Sequence, residues 1–125
     1  MKTCLRITQA LLMLPFSALA GGPVWSDRPA SGTKAVRACA FDGSNVRSLF
    51  TSAVDPRGVA LDTTTNRVYY ADRMTGGSLG VINSVPLAGG SAQEHLSGLN
   101  RPADLRLDSV GRALYWCEEN GGTIR

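Results

Sequence analysis

The chain has one histidine, three cysteines and no block of like charge in its 125 residues. Cys4, Cys39 and Cys117 lie far apart, without the paired spacing that builds a zinc site, so no metal and no cofactor is expected. Charge of one sign is also scarce. There are 13 basic and 10 acidic residues, a formal +3. Lys2 and Arg6 fall within the first twenty residues, so the rest is nearly neutral at +1. A nucleic-acid surface needs a clustered basic face; no such cluster stands out, and no nucleic-acid partner is expected. Long apolar runs are missing. Ala10 to Leu19 falls short of the roughly 20 residues that span a bilayer. Helical periodicity, linkers and low-complexity tracts are missing too, which argues against a second domain. Fourteen Gly and six Pro fit an all-β chain with many turns.

Residues 1–20 read as a secretory signal. Lys2 and Arg6 give the basic start, Ala10 to Leu19 the apolar core, and Ala18-Leu19-Ala20 a small-x-small cleavage site. The predicted domains are therefore a signal helix over 1–20 and an exported, periplasmic or extracellular domain over 21–125. No membrane partner is expected once the signal is removed. Cys4 precedes the apolar run, so it does not stand where a lipoprotein cysteine would.

The domain is organised by a repeat. Pro56, Leu61, Asp62 and Tyr69 return as Pro102, Leu107, Asp108 and Tyr115, each 46 residues on and without a gap. Such a period marks a repeat architecture. Each copy opens with two short apolar runs around a turn, which reads as a β-hairpin. The carboxylates of Asp62 and Asp108 are placed to bond the backbone of that turn. Leu79 to Val85 reads as a third strand and Gln93 to Leu96 as a more polar fourth. Four antiparallel strands per repeat of this length is the plan of a propeller blade.

The run Pro56-Arg57-Gly58-Val59-Ala60-Leu61-Asp62, then Tyr69-Tyr70-Ala71-Asp72, resembles the YWTD repeat of the LDL-receptor class B family. The second copy, ending Leu114-Tyr115-Trp116-Cys117-Glu118, is similar. NHL-type propellers share the inner-strand pattern and are the close alternative. The resemblance implies that the Pro-led strand lies innermost, that the aromatic strand is second, and that six blades close a ring. Tyr70 stands in place of the motif Trp, and Cys117 and Glu118 in place of Thr and Asp. Arg106 replaces Ala60 at a position expected to face a neighbouring blade, where a long cation must snorkel to the rim.

Val24-Trp25-Ser26-Asp27 resembles a further copy of the aromatic motif, so the domain is predicted to begin at the second strand of a blade. Lys34 to Phe41 would be its third strand and Val46 to Phe50 its fourth. About two to three blades of an incomplete six-bladed-type propeller are expected, with Arg125 a point of truncation. A chain truly this short is expected to self-associate through its uncovered sheets. Cys39 and Cys117 would sit two blades apart, too far for the roughly 7 Å of a disulfide, and are expected as buried, unpaired thiols.

The recurring residues Trp25, Asp27, Pro56, Asp62, Tyr69, Tyr70, Asp72, Pro102, Asp108, Tyr115 and Trp116 read as structural, with the aromatics packed between blades. His95 reads as a side chain of an outer strand, with no serine or cysteine nucleophile placed beside it, and no catalytic residue is expected. The binding candidates are Arg57, Asn100, Arg101 and Asp104, where the chain crosses into an inner strand and lines one mouth of the channel. Two functions follow. The first is an exported, non-catalytic propeller that binds a protein or a glycan. The alternative is the N-terminal portion of a gluconolactonase- or lyase-type propeller enzyme, whose metal site would need convergent acids at the same mouth. The first copy supplies only Asp55 there, which favours the binding module.

Overall fold

The computed structural model describes residues 22–74, 76, 79–120 and 122–125. The expected signal, with Cys4, lies outside the described residues, as do Gly21, Thr75, Gly77, Ser78 and Gly121. Among the described residues ten strands follow in order: β1 Val24–Asp27, β2 Ala35–Ala38, β3 Arg47–Phe50, β4 Pro56–Asp62, β5 Arg67–Arg73, β6 Leu79–Pro86, β7 Gln93–Asn100, β8 Pro102–Asp108, β9 Ala113–Glu118 and β10 Thr123–Ile124. They form three antiparallel sheets, β1-β2-β3, β4-β5-β6-β7 and β8-β9-β10. The fold is all-β, and β4 lies beside both β1 and β8, so the sheets meet near their inner edges, as propeller blades do.

The local geometry repeats with the sequence. Pro56 and Pro102 each open an inner strand, where a missing N–H does least harm to the ladder. Both inner strands shift register at the same place, between Pro56 and Val59 and between Pro102 and Leu105. Asp62 accepts from the Thr64 amide at 2.9 Å and the Thr65 hydroxyl at 2.7 Å. Asp108 accepts from the Val110 and Gly111 amides at 3.0 Å each. The two turns close with Asn66 and Arg112 at φ of 52° and 56°. Asn tolerates this left-handed conformation and Arg adopts it rarely.

Two interfaces stack the blades. Val36, Ala38 and Leu49 of the first sheet share one cluster with Val68, Tyr70 and Val85 of the second, with Leu87 beside them. Burial pushes the Tyr70 hydroxyl up to about 12, and its ring lies 6.0 Å from that of Phe50. At the second interface β4 runs against β8 so closely that a Cβ on Gly58 would fall 2.5 Å from the Leu105 nitrogen and 2.6 Å from the Ala103 oxygen. Leu105 is fully buried there, as are Ala71 and Ile82.

Several expectations need correction. The third strand of the first sheet is Ala35–Ala38, shorter than 34–41, and Phe41 is exposed. The fourth strand of the second sheet runs on to Asn100. Of the aromatics expected between blades, Tyr70 is fully buried, Trp25, Tyr69 and Trp116 are half-buried, and Tyr115 is exposed. The reason is position. Ile82 pairs with Ala71 and Ile124 with Cys117, yet Ile82 is 0% exposed and Ile124 79%. Among the described residues no sheet covers the Tyr115 and Ile124 face. Arg106, expected to snorkel, lies open on that sheet and pairs with Asp104 at 3.0 Å. Cys39 and Cys117 are free, as expected, but half-buried.

Gly58 and Asp104 occupy the same repeat position and provide an internal control. Gly58→Ala forces two backbones apart and is expected to cost about 1–3 kcal/mol, the usual range for overpacking. Asp104→Ala is expected to stay within about 0.5 kcal/mol, since its side chain is 59% exposed. Urea unfolding of both variants checks this; equal losses would contradict the close approach of β4 and β8.

Candidate functional site

The ends of the sheets where β4 and β8 begin carry a band of charge. It is built by the motif acid at the end of each second strand. Asp72 is buried and accepts from the Val54 amide at 3.0 Å and the Asp55 amide at 2.6 Å. Burial raises its carboxyl above the ordinary value, and the amides of Asp55 and Val54 offset only part of that rise. Glu118 does the same work in the next repeat, accepting from the Asn100 amide at 3.3 Å. Its longer side chain also accepts from the Trp116 indole at 3.2 Å. The chain is closed again from the other side. The Arg73 amide donates to the Asp55 carbonyl at 3.2 Å, and the Glu119 amide to the Arg101 carbonyl at 3.1 Å. Asp55 and Arg101 are thereby fixed at equivalent points of the rim.

Their side chains have opposite charge, and the neighbours have changed to match. Asp55 receives Arg28 at 2.8 Å and Arg57 at 2.7 Å. Burial works to raise its carboxyl, but Arg57 and then Arg28 bring it below the ordinary value. In the next repeat Arg101 replaces the acid and would face Arg73, the counterpart of Arg28. Glu119, at the position matching Arg73, resolves the clash. Its carboxylate accepts from Arg73 and lies 3.4 Å from Arg101. Arg73, and then Arg101 and Arg57, hold it below the usual carboxylate range. Arg73 is almost entirely buried and also donates to the Pro102 carbonyl at 3.2 Å.

Of the four sequence-derived candidates, Arg101 meets Glu119 and Arg57 meets Asp55, at neighbouring points of the rim. Asn100 is held beside them, its backbone on Glu118 and its side-chain amide on the Asn120 carbonyl. Asp104 stands apart on the open face of the third sheet, its amide 3.3 Å from the Cys117 sulfur. Sequence reasoning missed Arg28, Arg73 and Glu119. The signal was present, because all three directly follow a motif acid. Among the described residues, no group of three or more His, Cys, Asp and Glu stands where it could hold a metal ion.

The reading of His95 also needs correction, because a serine does stand beside it. Ser84 Oγ lies 2.8 Å from His95 Nε2, and the ring packs 5.3 Å from that of Tyr69. The arrangement does not make a nucleophile. Ser84 is fully buried, and its Oγ accepts from Arg67 Nε at 2.8 Å, so its lone pair faces a cation rather than a substrate.

At the opposite end of the sheets one ion pair joins two blades. Arg112 donates both of its terminal nitrogens to Asp62, at 3.0 and 2.7 Å. These bonds hold the Asp62 carboxyl well below the usual range against its burial, with Thr65 and Thr64 assisting. An acid depressed by folding stabilises the fold above its unfolded value of about 3.9. That stabilisation fades as pH falls through this value toward the folded one. Arg112→Asn, which keeps a side chain suited to the left-handed turn, is expected to be less stable than the parent at pH 7. The difference is expected to shrink as pH drops below about 4. Denaturant midpoints across pH check this; a gap that persists unchanged in acid would contradict the pairing.

No family model matches the chain. Among solved structures, a chain from the crystal structure of a nidogen/laminin complex is similar, with a TM-score of 0.64 and 24% identity. The likeness covers 76% of this chain and 35% of that one, so the present chain spans about a third of its neighbour's length. It supports the fold, an all-β arrangement of propeller blades.

Proposed function

We propose that the chain is an exported, non-catalytic binding module that takes a protein ligand at the rim where its inner strands begin. One observation carries this reading: along this rim Arg73 and Arg101 meet the half-exposed carboxylate of Glu119, and Arg28 and Arg57 meet that of Asp55. Guanidinium forks match carboxylates in geometry as well as charge, so the place is suited to recognition. It is poorly suited to acid–base work. Both rim acids, Asp55 and Glu119, are held below their ordinary values by arginines, whereas a general acid has to keep its proton near neutral pH. The similar solved structure is a complex of two proteins, which supports a protein rather than a glycan as ligand. Export rests on the signal read in residues 1–20.

Arrays of secreted proteins and of glycans, probed with the full chain, test the reading. A protein ligand is expected, weakened at least about tenfold by a bulky block on the rim, Asn100→Trp, in line with the cost of disrupting an interface hot spot. Ligands confined to glycans, or indifferent to the block, would overturn it, as would turnover of a sugar lactone.

A further inference from the structure

Glu119 is out of pattern. The matching residues of the two preceding sheets, Arg28 and Arg73, are cations. It stands just past the end of β9, with 46% of its side chain exposed, so it is reached from solvent. The arginines around it differ in their freedom. Arg73 is 5% exposed and is fixed between Pro102 and Glu119. Arg101 is 37% exposed, its contact with Glu119 is long, and its Nε has no acceptor. Arg57 is bound to Asp55 through both its Nε and a terminal nitrogen. A carboxylate in this position is thus held by a fixed cation, Arg73, while a second, Arg101, is more exposed and meets it only at 3.4 Å.

We infer that the Glu119 carboxylate occupies, from within the chain, the seat of an acidic side chain from an extended segment of the protein ligand, and that Glu119 and that side chain compete for Arg101. This rests on the proposed binding function and gives that ligand a chemistry. The pattern favours single carboxylates over a sulfated glycan. Each rim arginine already has an acid beside it, and Asp72 and Glu118 lie buried beneath, so there is no run of free cations for a polyanion. The backbone supports the seat independently of the Glu119 side chain, because Arg101 is held at φ 57° by the amide of Asn100 on Glu118 and by its own carbonyl on the Glu119 amide.

The test uses the full chain and a fluorescein-labelled hexapeptide of alternating Glu and Gly, with the Gln–Gly peptide as control and a heparin hexasaccharide as competitor. Glu119→Gln removes the internal competitor and is expected to tighten the acidic peptide roughly two- to fivefold, the range of an exposed charge pair. The Gln–Gly peptide should not change. Glu119→Asp, which keeps the charge, should give no gain, and adding Arg101→Ala to Glu119→Gln should abolish the gain. Thermal melts confirm that each variant is folded; should Glu119→Gln unfold, Arg101→Ala alone is expected to weaken the acidic peptide and spare the control. Unchanged or weaker binding by folded Glu119→Gln, an equal gain for the Gln–Gly peptide, or displacement by heparin at lower concentration than by unlabelled acidic peptide would each overturn the inference. If these fail while a rim-dependent protein ligand is still found on the array, the seat is disproved and the binding function stands. If the array also fails, both fall.

Discussion

The structure turns on one contact, the carboxylate at the end of each second strand. Asp72 accepts the amides of Val54 and Asp55, and Glu118 accepts that of Asn100. These amides belong to the chain as it crosses from an outer strand to the next inner one. A buried carboxylate without such donors would be costly. Each satisfies the other, and the crossing is held against the second strand. The rim residues Asp55 and Arg101 take their places from this contact, and so does the start of each inner strand.

From there the blades stack by shape. The first pair share a cluster of aliphatic residues with Tyr70 at its centre. The second pair meet through backbone, with Gly58 leaving room for β8. Ion pairs lock the two ends, Arg112 with Asp62 at the turns and Arg73 with Glu119 at the rim. The rim pair shows how a repeat tolerates divergence. Asp55 becomes Arg101, the cation at 73 becomes Glu119, and opposite charges still meet.

Much of this was legible in the sequence, for a physical reason. A 46-residue spacing that holds Pro, Asp and Tyr in register fixes strand order and turn chemistry together, so the hairpins, the Asp62 and Asp108 turns and the blade plan could all be read directly. Burial was less legible. Tyr69 and Tyr115 occupy one repeat position, but their exposure depends on whether a sheet lies against them, which no local pattern records. The role of Glu118 was also hidden. It looked like a departure from an acidic motif, yet its longer side chain reaches the same amide. The charged cluster at the rim was half legible. Arg57 and Arg101 stood out at the crossings, but Glu119, the partner of Arg101, lies on a different strand pair. Only superposing the repeats reveals that a cation has become an acid there. The Ser84–His95 contact joins residues whose counterparts in the first sheet, Ala38 and Leu49, are apolar, so the repeat did not announce it.

Amide hydrogen exchange read residue by residue addresses the role of the second-strand carboxylate most directly. In the parent chain the Val54 and Asp55 amides should be protected although they lie outside any strand. In Asp72→Ala both should lose that protection, while the β5–β6 ladder around Tyr70 and Asn83 keeps its own. Val54 and Asp55 amides that exchange freely in the parent chain, or that stay protected without Asp72, would show that the crossing is held by something else.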